Sequence, residues 1–308
     1  MMKQSRPHVS IVIPAFNEIV FLTACLDSVL GQSSDDWEAI VVDDASPDVD
    51  LESVVREFRD DRLRVIRHNT NRGQGAARNT GFRNARGSLV LPLDSDDLLL
   101  PEFVSSTAGQ FSEFPETDCV FTDFRLFGET DETWQNTSDR TLRDMLLGQW
   151  IPGAGTMMRR EVWERVHGYC EDRALVGNED WDFWIAALAT DLHVVHLPRP
   201  LYLYRRHGQS VSSRALRRVE YLQREQLYKR HQTLYDRYQV GDAFRATGYL
   251  NSAEFFWRLG ERRRALGVAG TALRRRGVAW PFVTLTVRAT QSSARTRVQR
   301  LRTRVAGS

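Results

Sequence analysis

Ser88 to Leu98 reads SLVLPLDSDDL, and the reading of the chain turns on this stretch. The apolar run Leu89-Val90-Leu91 leads into Leu93 and stops at Asp94-Ser95-Asp96-Asp97. A short apolar run of this kind reads as a buried strand. Three carboxylates then crowd its C-terminal end. Two like charges about 4 Å apart repel by roughly 4 kcal/mol at an effective dielectric near 20, so a fold that gathers them there generally supplies a cation. Mg2+ and Mn2+ suit such a place, because they take one or two carboxylates and complete their shell with water and substrate phosphates. On this stretch alone, a solvated acidic turn is an equal reading, as is an N-cap for the helix that Pro101 opens.

Working outward, the same pattern recurs upstream. Val9 to Ile13 (VSIVI) is a short apolar run, and Glu38 to Val42 (EAIVV) is a second that ends in Asp43-Asp44. Leu63 to Ile66 is a third. Between them, Glu18 to Leu30, Leu51 to Phe58 and Gly75 to Arg86 carry apolar residues at helical spacing. Strands alternating with helices imply an α/β fold with a mostly parallel, doubly wound sheet. Ligands bind outside the C-terminal ends of such strands. Pro14 to Glu18 (PAFNE), Asp43-Asp44 and Asp94 to Asp97 all fall at those ends. A dinucleotide-binding fold would need G-x-G-x-x-G after the first strand, and PAFNE holds no glycine. Gly73-Gln74-Gly75 has Arg78 where the third glycine belongs.

Composition narrows the class. The chain has 308 residues, of which 42% are hydrophobic, enough for one large α/β domain and an appendage. Cys25, Cys119 and Cys170 are few and far apart, which excludes a disulfide framework or a zinc site and fits a reducing compartment. The opening MMKQSRPHVS has no apolar signal segment, and no stretch approaches the ~18 apolar residues of a membrane span. A cytoplasmic location is expected. The net charge of +2 conceals an asymmetry: residues 1–214 hold 22 Lys+Arg against 34 Asp+Glu, and residues 215–308 hold 20 against 6. A basic tail on an acidic body points to an anionic partner.

Asn71 to Asn79 (NRGQGAARN) enters a helix whose N-terminus favours an anion, and Arg78 could add a charge-assisted bond to phosphate. Cys119 to Phe127 is strand-like, and Glu129 to Arg143 is polar and reads as a loop or lid. In Gly177 to Trp184 (GNEDWDFW), Glu179 and Asp180 stand among aromatics at a helix start. A carboxylate there can serve as a base or simply cap the helix. His193 to Leu197 and Leu201 to Tyr204 read as two short strands. His207 follows in the basic loop Arg205 to Ser212. Beyond Arg214 the pattern is helical: Leu216 to Tyr238 as one long helix, then Ala243 to Leu259 and Ala265 to Leu273 as a pair. Ala289 to Ser308 is rich in Arg, Ser and Thr and reads as disordered.

Taken together, SIVIPAFNE (10–18), VVDDAS (41–46), NRGQGAARNTG (71–81), LDSDD (93–97), NEDWDFW (178–184) and YRRHGQSVS (204–212) resemble the family 2 glycosyltransferases, the inverting, nucleotide-sugar-dependent group with the GT-A fold. The resemblance covers about residues 8–212. It implies a GT-A catalytic domain over 1–213, with a Rossmann-like central sheet flanked by helices. A basic helical extension over 214–288 and the Arg-rich tail 289–308 lie outside it. It further implies that Pro14, Ala15 and Glu18 line a nucleoside pocket, with Asp44 contacting the base and Asp43 beside it. Arg78 would reach the nucleotide, and Asp94 with Ser95 would lie along the nucleotide-sugar. Asp96, Asp94 and His207 would hold Mn2+ or Mg2+, with Asp97 a substitute ligand. Asp180 would be the catalytic base and Glu179 its neighbour.

The implied reaction moves a hexosyl or N-acetylhexosaminyl group from a nucleotide-sugar, a UDP-sugar in the first instance, to a hydroxyl of a glycan or lipid-linked cell-envelope acceptor. The basic extension would attach the enzyme peripherally to an anionic membrane at its inner face. Nucleic acid is not expected as a partner, because the arginines lack the aromatic interleaving of single-strand binders. Two rival readings are a nucleotidyltransferase, which would release pyrophosphate and would not need the Glu179/Asp180 pair, and a non-catalytic nucleotide-sugar or glycan-binding relative.

Overall fold

The apolar runs at 9–15, 37–43 and 89–92 are buried at every residue, as expected of parallel strands covered on both faces. They form β1 (Val9–Ala15), β2 (Trp37–Asp43) and β4 (Leu89–Pro92), with β3 (Leu63–Arg67) as the partly exposed edge. In this computed structural model, which describes residues 8–17, 19–137, 139–207 and 214–276, the chain divides into two compact units, 1–210 and 211–308.

In the first unit β1 pairs in parallel with both β2 and β4, and β2 with β3. The order β3-β2-β1-β4 therefore reverses direction at β1, which opens a crevice at the strand ends between β1 and β4. Alternate residues Val9, Ile11 and Ile13, with Trp37, Ala39, Val41, Leu89 and Leu91, enter one apolar core. Helix α1 (Val20–Leu30) covers that core with Leu22, Cys25, Leu26 and Val29, a single helical face. Helix α2 (Leu51–Arg56) adds Leu51 and Val55, and its N-cap Asp50 accepts from Ser53 N at 3.1 Å. Helix α3 (Gln74–Arg83) lies so close to β1 that a Cβ on Gly81 would meet Val12 Cγ1 at 2.2 Å.

Past β4 the sheet becomes mixed. It continues through β5 (Leu98–Leu99), α4 (Phe103–Glu113), β6 (Cys119–Gly128), β7 (Glu132–Trp134), α5 (Leu142–Leu147), β8 (Met157–Arg159), α6 (Arg160–Arg165), α7 (Glu179–Leu188) and β9 (Val194–Arg206). The full strand order is β3-β2-β1-β4-β8-β6-β9-β5, with β7 paired to β6. The stretch 129–143, expected as loop or lid, contains β7 and the start of α5.

The two short strands expected at 193–197 and 201–204 are one strand. Pro198 and Pro200 sit where the β6–β9 register shifts around Asp123, so the extra residues need no ladder donor. Helix α4 starts at Phe103 with Glu102 as N-cap, so the acidic turn at 94–97 is not its cap.

The second unit is helical: α8 (Arg214–Arg230), α9 (Gln232–Arg237), α10 (Gly241–Arg258) and α11 (Arg262–Arg276). The expected single helix over 216–238 breaks at His231. The break lets Tyr235 stack on Phe244, ring centroids 4.6 Å apart. Ala246, Leu250 and Ala272 form the contact between α10 and α11. The expected tail 289–308 and the apolar segment 278–287 lie outside the described residues. Among the described residues, no helix is long and apolar enough to cross a membrane.

The Gly81 contact gives a direct test of how tightly α3 sits on the sheet. Gly81→Ala should destabilise by about 1–3 kcal/mol, because the added methyl meets a fixed β-branched side chain. That corresponds to roughly 2–4 °C in melting temperature per kcal/mol for a chain of this class. An unchanged melting temperature would show that α3 can move off β1 freely.

Candidate active site

The ends of β1 and β2 are tied by carboxylates. Asp43 is buried and accepts from Ser46 N (2.8 Å) and Arg67 Nη1 (2.8 Å). Asp44, also buried, accepts from Arg72 N (2.8 Å) and Gly73 N (2.7 Å) and pairs with His68 Nδ1 (2.7 Å). Asp44 thus fastens the end of β2 to the loop that opens α3. Pro14 and Ala15 are buried at the end of β1, where Ala15 O accepts from Asp44 N at 2.9 Å. Glu18 lies outside the described residues.

The acidic turn stands at the other side of the crevice, with one ligand atom each of Asp94, Asp96 and Asp97 within 4.8 Å of one another. Asp97 is 1% exposed; its oxygens accept from Tyr202 OH (2.5 Å) and Arg205 N (2.7 Å). Burial, then Asp96 and Asp94, push its carboxyl well above the usual range. Asp97 thus holds the turn against β9, and it also stands in the group of three carboxylates that could hold a metal ion. Asp96 Oδ2 pairs with His207 Nε2 at 2.8 Å, and Arg205 Nε donates to Asp96 O at 2.7 Å. Burial and Asp94 raise the Asp96 carboxyl, opposed by His207. Ser95 is half-buried within the turn, which Asp97 N closes onto Asp94 O at 3.1 Å.

Asp94 Oδ1 accepts from Gln74 Nε2 (2.7 Å) and Arg78 Nη2 (2.8 Å). Among the described residues, Asp94 Oδ2 and Asp96 Oδ1 accept no hydrogen bond. Two hard oxygen donors on one turn, beside an imidazole, fit Mn2+ or Mg2+.

Arg78 is the junction of the site. Its guanidinium is buried, bonds Asp94, and reaches Glu179 Oε1 with Nη1 at 3.3 Å. It lies over the Tyr169 ring, 5.4 Å from the centroid. Burial works against its charge, but Asp94, Tyr169, Glu179 and Asp180 together hold its pKa above the ordinary value. Asn79, one residue on, fixes the segment carrying Tyr169 by bonding Tyr169 O and N, both at 2.8 Å.

Helix α7 brings the second carboxylate pair. Its N-cap Asn178 makes no side-chain cap bond. Glu179 Oε2 instead accepts from Gly177 N at 2.6 Å. Burial, then Asp180, push the Glu179 carboxyl up to about 7 against the pull of Arg78. Asp180 Oδ1 accepts from Trp181 N (2.8 Å), and Oδ2 from Gln149 Nε2 (2.8 Å). Beside Glu179, a shallow cleft runs past the start of α3 and Cys170 to Asp172. Gly75 is needed there, since a Cβ would meet Cys170 O at 2.6 Å.

The structure therefore gathers Arg78, Asp94, Asp96, His207 and Glu179 through direct bonds, with Asp180 adjoining Glu179. Asp43 and Asp44 tie the neighbouring strand end. Sequence reading missed His68, Gln74, Gln149, Tyr169 and Tyr202. Only Gln74 carried a signal, from its place between Gly73 and Gly75 at a helix start.

Residues 10–179 match the model of the family described as Glycosyl transferase family 2. Among curated proteins, the chain is 29% identical over 225 residues to the putative glycosyltransferase EpsH of Bacillus subtilis, covering 68% of this chain and 63% of that protein. It is 29% identical over 213 residues to a chondroitin synthase of Escherichia coli, covering 68% and 30%. The chain thus spans less than two thirds of the length of these relatives. Among solved structures, S. aureus TarS 1–349 in complex with UDP-GlcNAc superposes with a TM-score of 0.60 at 20% identity, over 87% of this chain and 81% of that one. The mannosyltransferase PcManGT from Pyrobaculum calidifontis, in complex with GDP-Man and Mn2+, gives 0.61 at 19% identity, over 94% and 81%. The fold is of the GT-A type, as the sequence resemblance implied.

The raised Glu179 carboxyl sets a pH signature. A carboxyl whose folded pKa lies above its unfolded value of about 4.3 holds its proton more readily in the folded chain. Its favourable contribution is full below about pH 4 and is lost as pH rises through about 7. Glu179→Gln cannot titrate. Measured with a chelator present, the melting temperature of Glu179→Gln should gain on the wild type between about pH 5 and about pH 8. A difference that stays constant over that range would show that Glu179 does not titrate there.

Proposed function

The chain belongs to glycosyl transferase family 2, and on that premise we propose that it is a metal-assisted, inverting glycosyltransferase acting on a nucleotide-sugar, with Asp180 as its base. The observation that carries this reading is the buried Arg78 bridge. One guanidinium joins Asp94 of the acidic turn to Glu179 of the α7 start, residues 85 apart in sequence. A nucleotidyltransferase has no need for a base at that second position.

In this reading Pro14, Ala15, Asp43 and Asp44 bound the nucleoside pocket, and a UDP-sugar is the expected donor. Asp44 acts by holding the 72–73 backbone against it. Asp94, Asp96 and His207 would hold the divalent cation, which would supply Lewis-acid stabilisation of the leaving diphosphate. Arg78, whose Nε is buried without a partner among the described residues, has an N–H left for the donor. Asp180 takes the proton of the acceptor hydroxyl. The acceptor oxygen forms its bond to the anomeric carbon as the bond to the diphosphate breaks, and the bonding electrons leave with the nucleoside diphosphate. A base opposite the leaving group gives a single displacement with inversion. Glu179 remains beside Arg78 and sets the start of α7.

The acceptor is proposed to be a glycan or lipid-linked hydroxyl of the cell envelope. That assignment is supported by relatives such as the chondroitin synthase and the O-antigen biosynthesis protein RfbC of Myxococcus xanthus, which is 28% identical over 220 residues. The free cysteines suit a cytoplasmic setting. The basic extension is proposed to attach the enzyme to an anionic membrane surface, each basic residue adding about 1 kcal/mol near such a surface.

A screen of UDP-glucose, UDP-GlcNAc and GDP-mannose with Mn2+ tests the donor class, with water replacing the acceptor. Release of nucleoside diphosphate that stops on chelation is expected. Conversion of the nucleotide-sugar to nucleoside triphosphate and sugar 1-phosphate on addition of pyrophosphate would identify a nucleotidyltransferase. Asp180→Asn should lower turnover about 10²–10⁴-fold while leaving nucleotide-sugar affinity and melting temperature near wild type, because asparagine keeps the size and a side-chain oxygen for the Trp181 N–H. Turnover near the wild-type rate would move the base elsewhere, with Asp182 the next carboxylate. For the extension, sedimentation with phosphatidylglycerol vesicles should exceed that with phosphatidylcholine vesicles and fall with salt. Equal sedimentation with both would sink the membrane reading.

A further inference from the structure

We propose that Gln149 is a positioning residue for the transfer reaction, acting by holding the carboxylate of Asp180 in one orientation. The inference rests on the reading of Asp180 as base. Gln149 lies in the connection between α5 and β8, a region whose sequence named no role for it. Its Nε2 donates to Asp180 Oδ2 at 2.8 Å and to Ile151 O at 3.2 Å. Both acceptors are oxygens with no hydrogen to give, so the amide nitrogen, with its two hydrogens, must face them. The Ile151 carbonyl thereby directs the remaining N–H at Asp180. With Trp181 N on Oδ1, each carboxylate oxygen is tethered by one donor, and the plane of the group is fixed.

The loop that carries Gln149 is shaped around the same oxygen. A Cβ on Gly153 would lie 1.9 Å from Asp180 Oδ2, so glycine is what lets the backbone close over it. Two residues on, Gly155 N donates to Pro92 O at 2.8 Å. Gly155 has φ +76°, and a Cβ there would meet the Tyr202 ring at 2.4 Å. Tyr202 in turn holds Asp97. The loop is pinned at the strand that bears the acidic turn and reaches from there to the proposed base.

The charged and titratable groups acting on Asp180 are Glu179 on its own helix, Arg78 from α3 and Tyr169 from the segment after α6. Gln149 adds no charge to this set. It adds a direction, through one neutral hydrogen bond to Oδ2. Losing it should therefore misplace the base.

The test uses full-length protein and release of nucleoside diphosphate from the nucleotide-sugar turned over in the screen above. Gln149→Ala should lower kcat at least about tenfold with little change in KM, because orientation of the base matters only in the reaction step. Gln149→Glu keeps the size but offers Asp180 no N–H, and should lower kcat as well, again with little change in KM. Both variants should melt close to wild type and bind the nucleotide-sugar as tightly, which a merely structural role for Gln149 would not allow.

An unchanged kcat in both variants, with Asp180→Asn inactive, would overturn the inference and leave the base in place. So would a fall in rate matched by a fall in melting temperature or in nucleotide-sugar affinity. An active Asp180→Asn would instead overturn the reading of the base, independently of what Gln149 does.

Discussion

A buried guanidinium cannot be left uncompensated. Stripping a charge of this size of its water costs several kcal/mol even after relaxation, and only well-placed counter-charges offset it. Arg78 therefore obliges the fold to bring two carboxylates to the same point, one from the turn after β4 and one from the start of α7. The obligation runs both ways. Asp94 and Glu179 each sit beside a further acid, Asp96 and Asp180, and that concentration of negative charge would be untenable without a fixed cation. Arg78 supplies one permanent charge, and the geometry of the acidic turn leaves room for a second, divalent one.

The other carboxylates of the crevice are fasteners. Asp44 replaces what would be missing hydrogen bonds at the loop entering α3, and Asp43 does the same for the turn at Ser46. Asp97 locks the acidic turn to β9 through Tyr202 and the Arg205 backbone. Arg205 itself is held between the rings of Phe21 and Phe127, at 4.5 and 4.3 Å. Rigid surroundings of this kind let a few side chains keep a productive arrangement before any ligand arrives.

Much of this was legible in the amino-acid order. The strands β1, β2 and β4 announced themselves as uninterrupted apolar runs, and the helices between them by periodicity. The acidic clusters at 94–97 and 179–182 stood out because charge rarely accumulates beside apolar runs without reason. What stayed hidden was of two kinds. The continuity of β9 through Pro198 and Pro200 is one, because a bulge that tolerates proline leaves no local trace. His68, Gln149 and Tyr202 are single polar residues whose partners are 24, 31 and 105 positions away. No periodicity encodes such pairs, since they exist only once the chain has closed on itself. Asp97 shows both sides: its neighbours suggested a ligand, and only its distant partners reveal that it also ties the turn to β9.

The attachment of β9 to the acidic turn also bears on how this protein could diverge. Tyr202, Arg205 and His207 meet Asp97 and Asp96 at fixed steps along one extended segment. A single insertion or deletion within that segment would turn its side chains to the opposite face and separate them from the turn. The connection around β7 is held less deeply, since its strand is exposed and lies along β6. Descendants of this chain would therefore be freer to vary in length around β7 than at 202–207. Over evolutionary time the distance between residues would be preserved at the second place even where their identities drift.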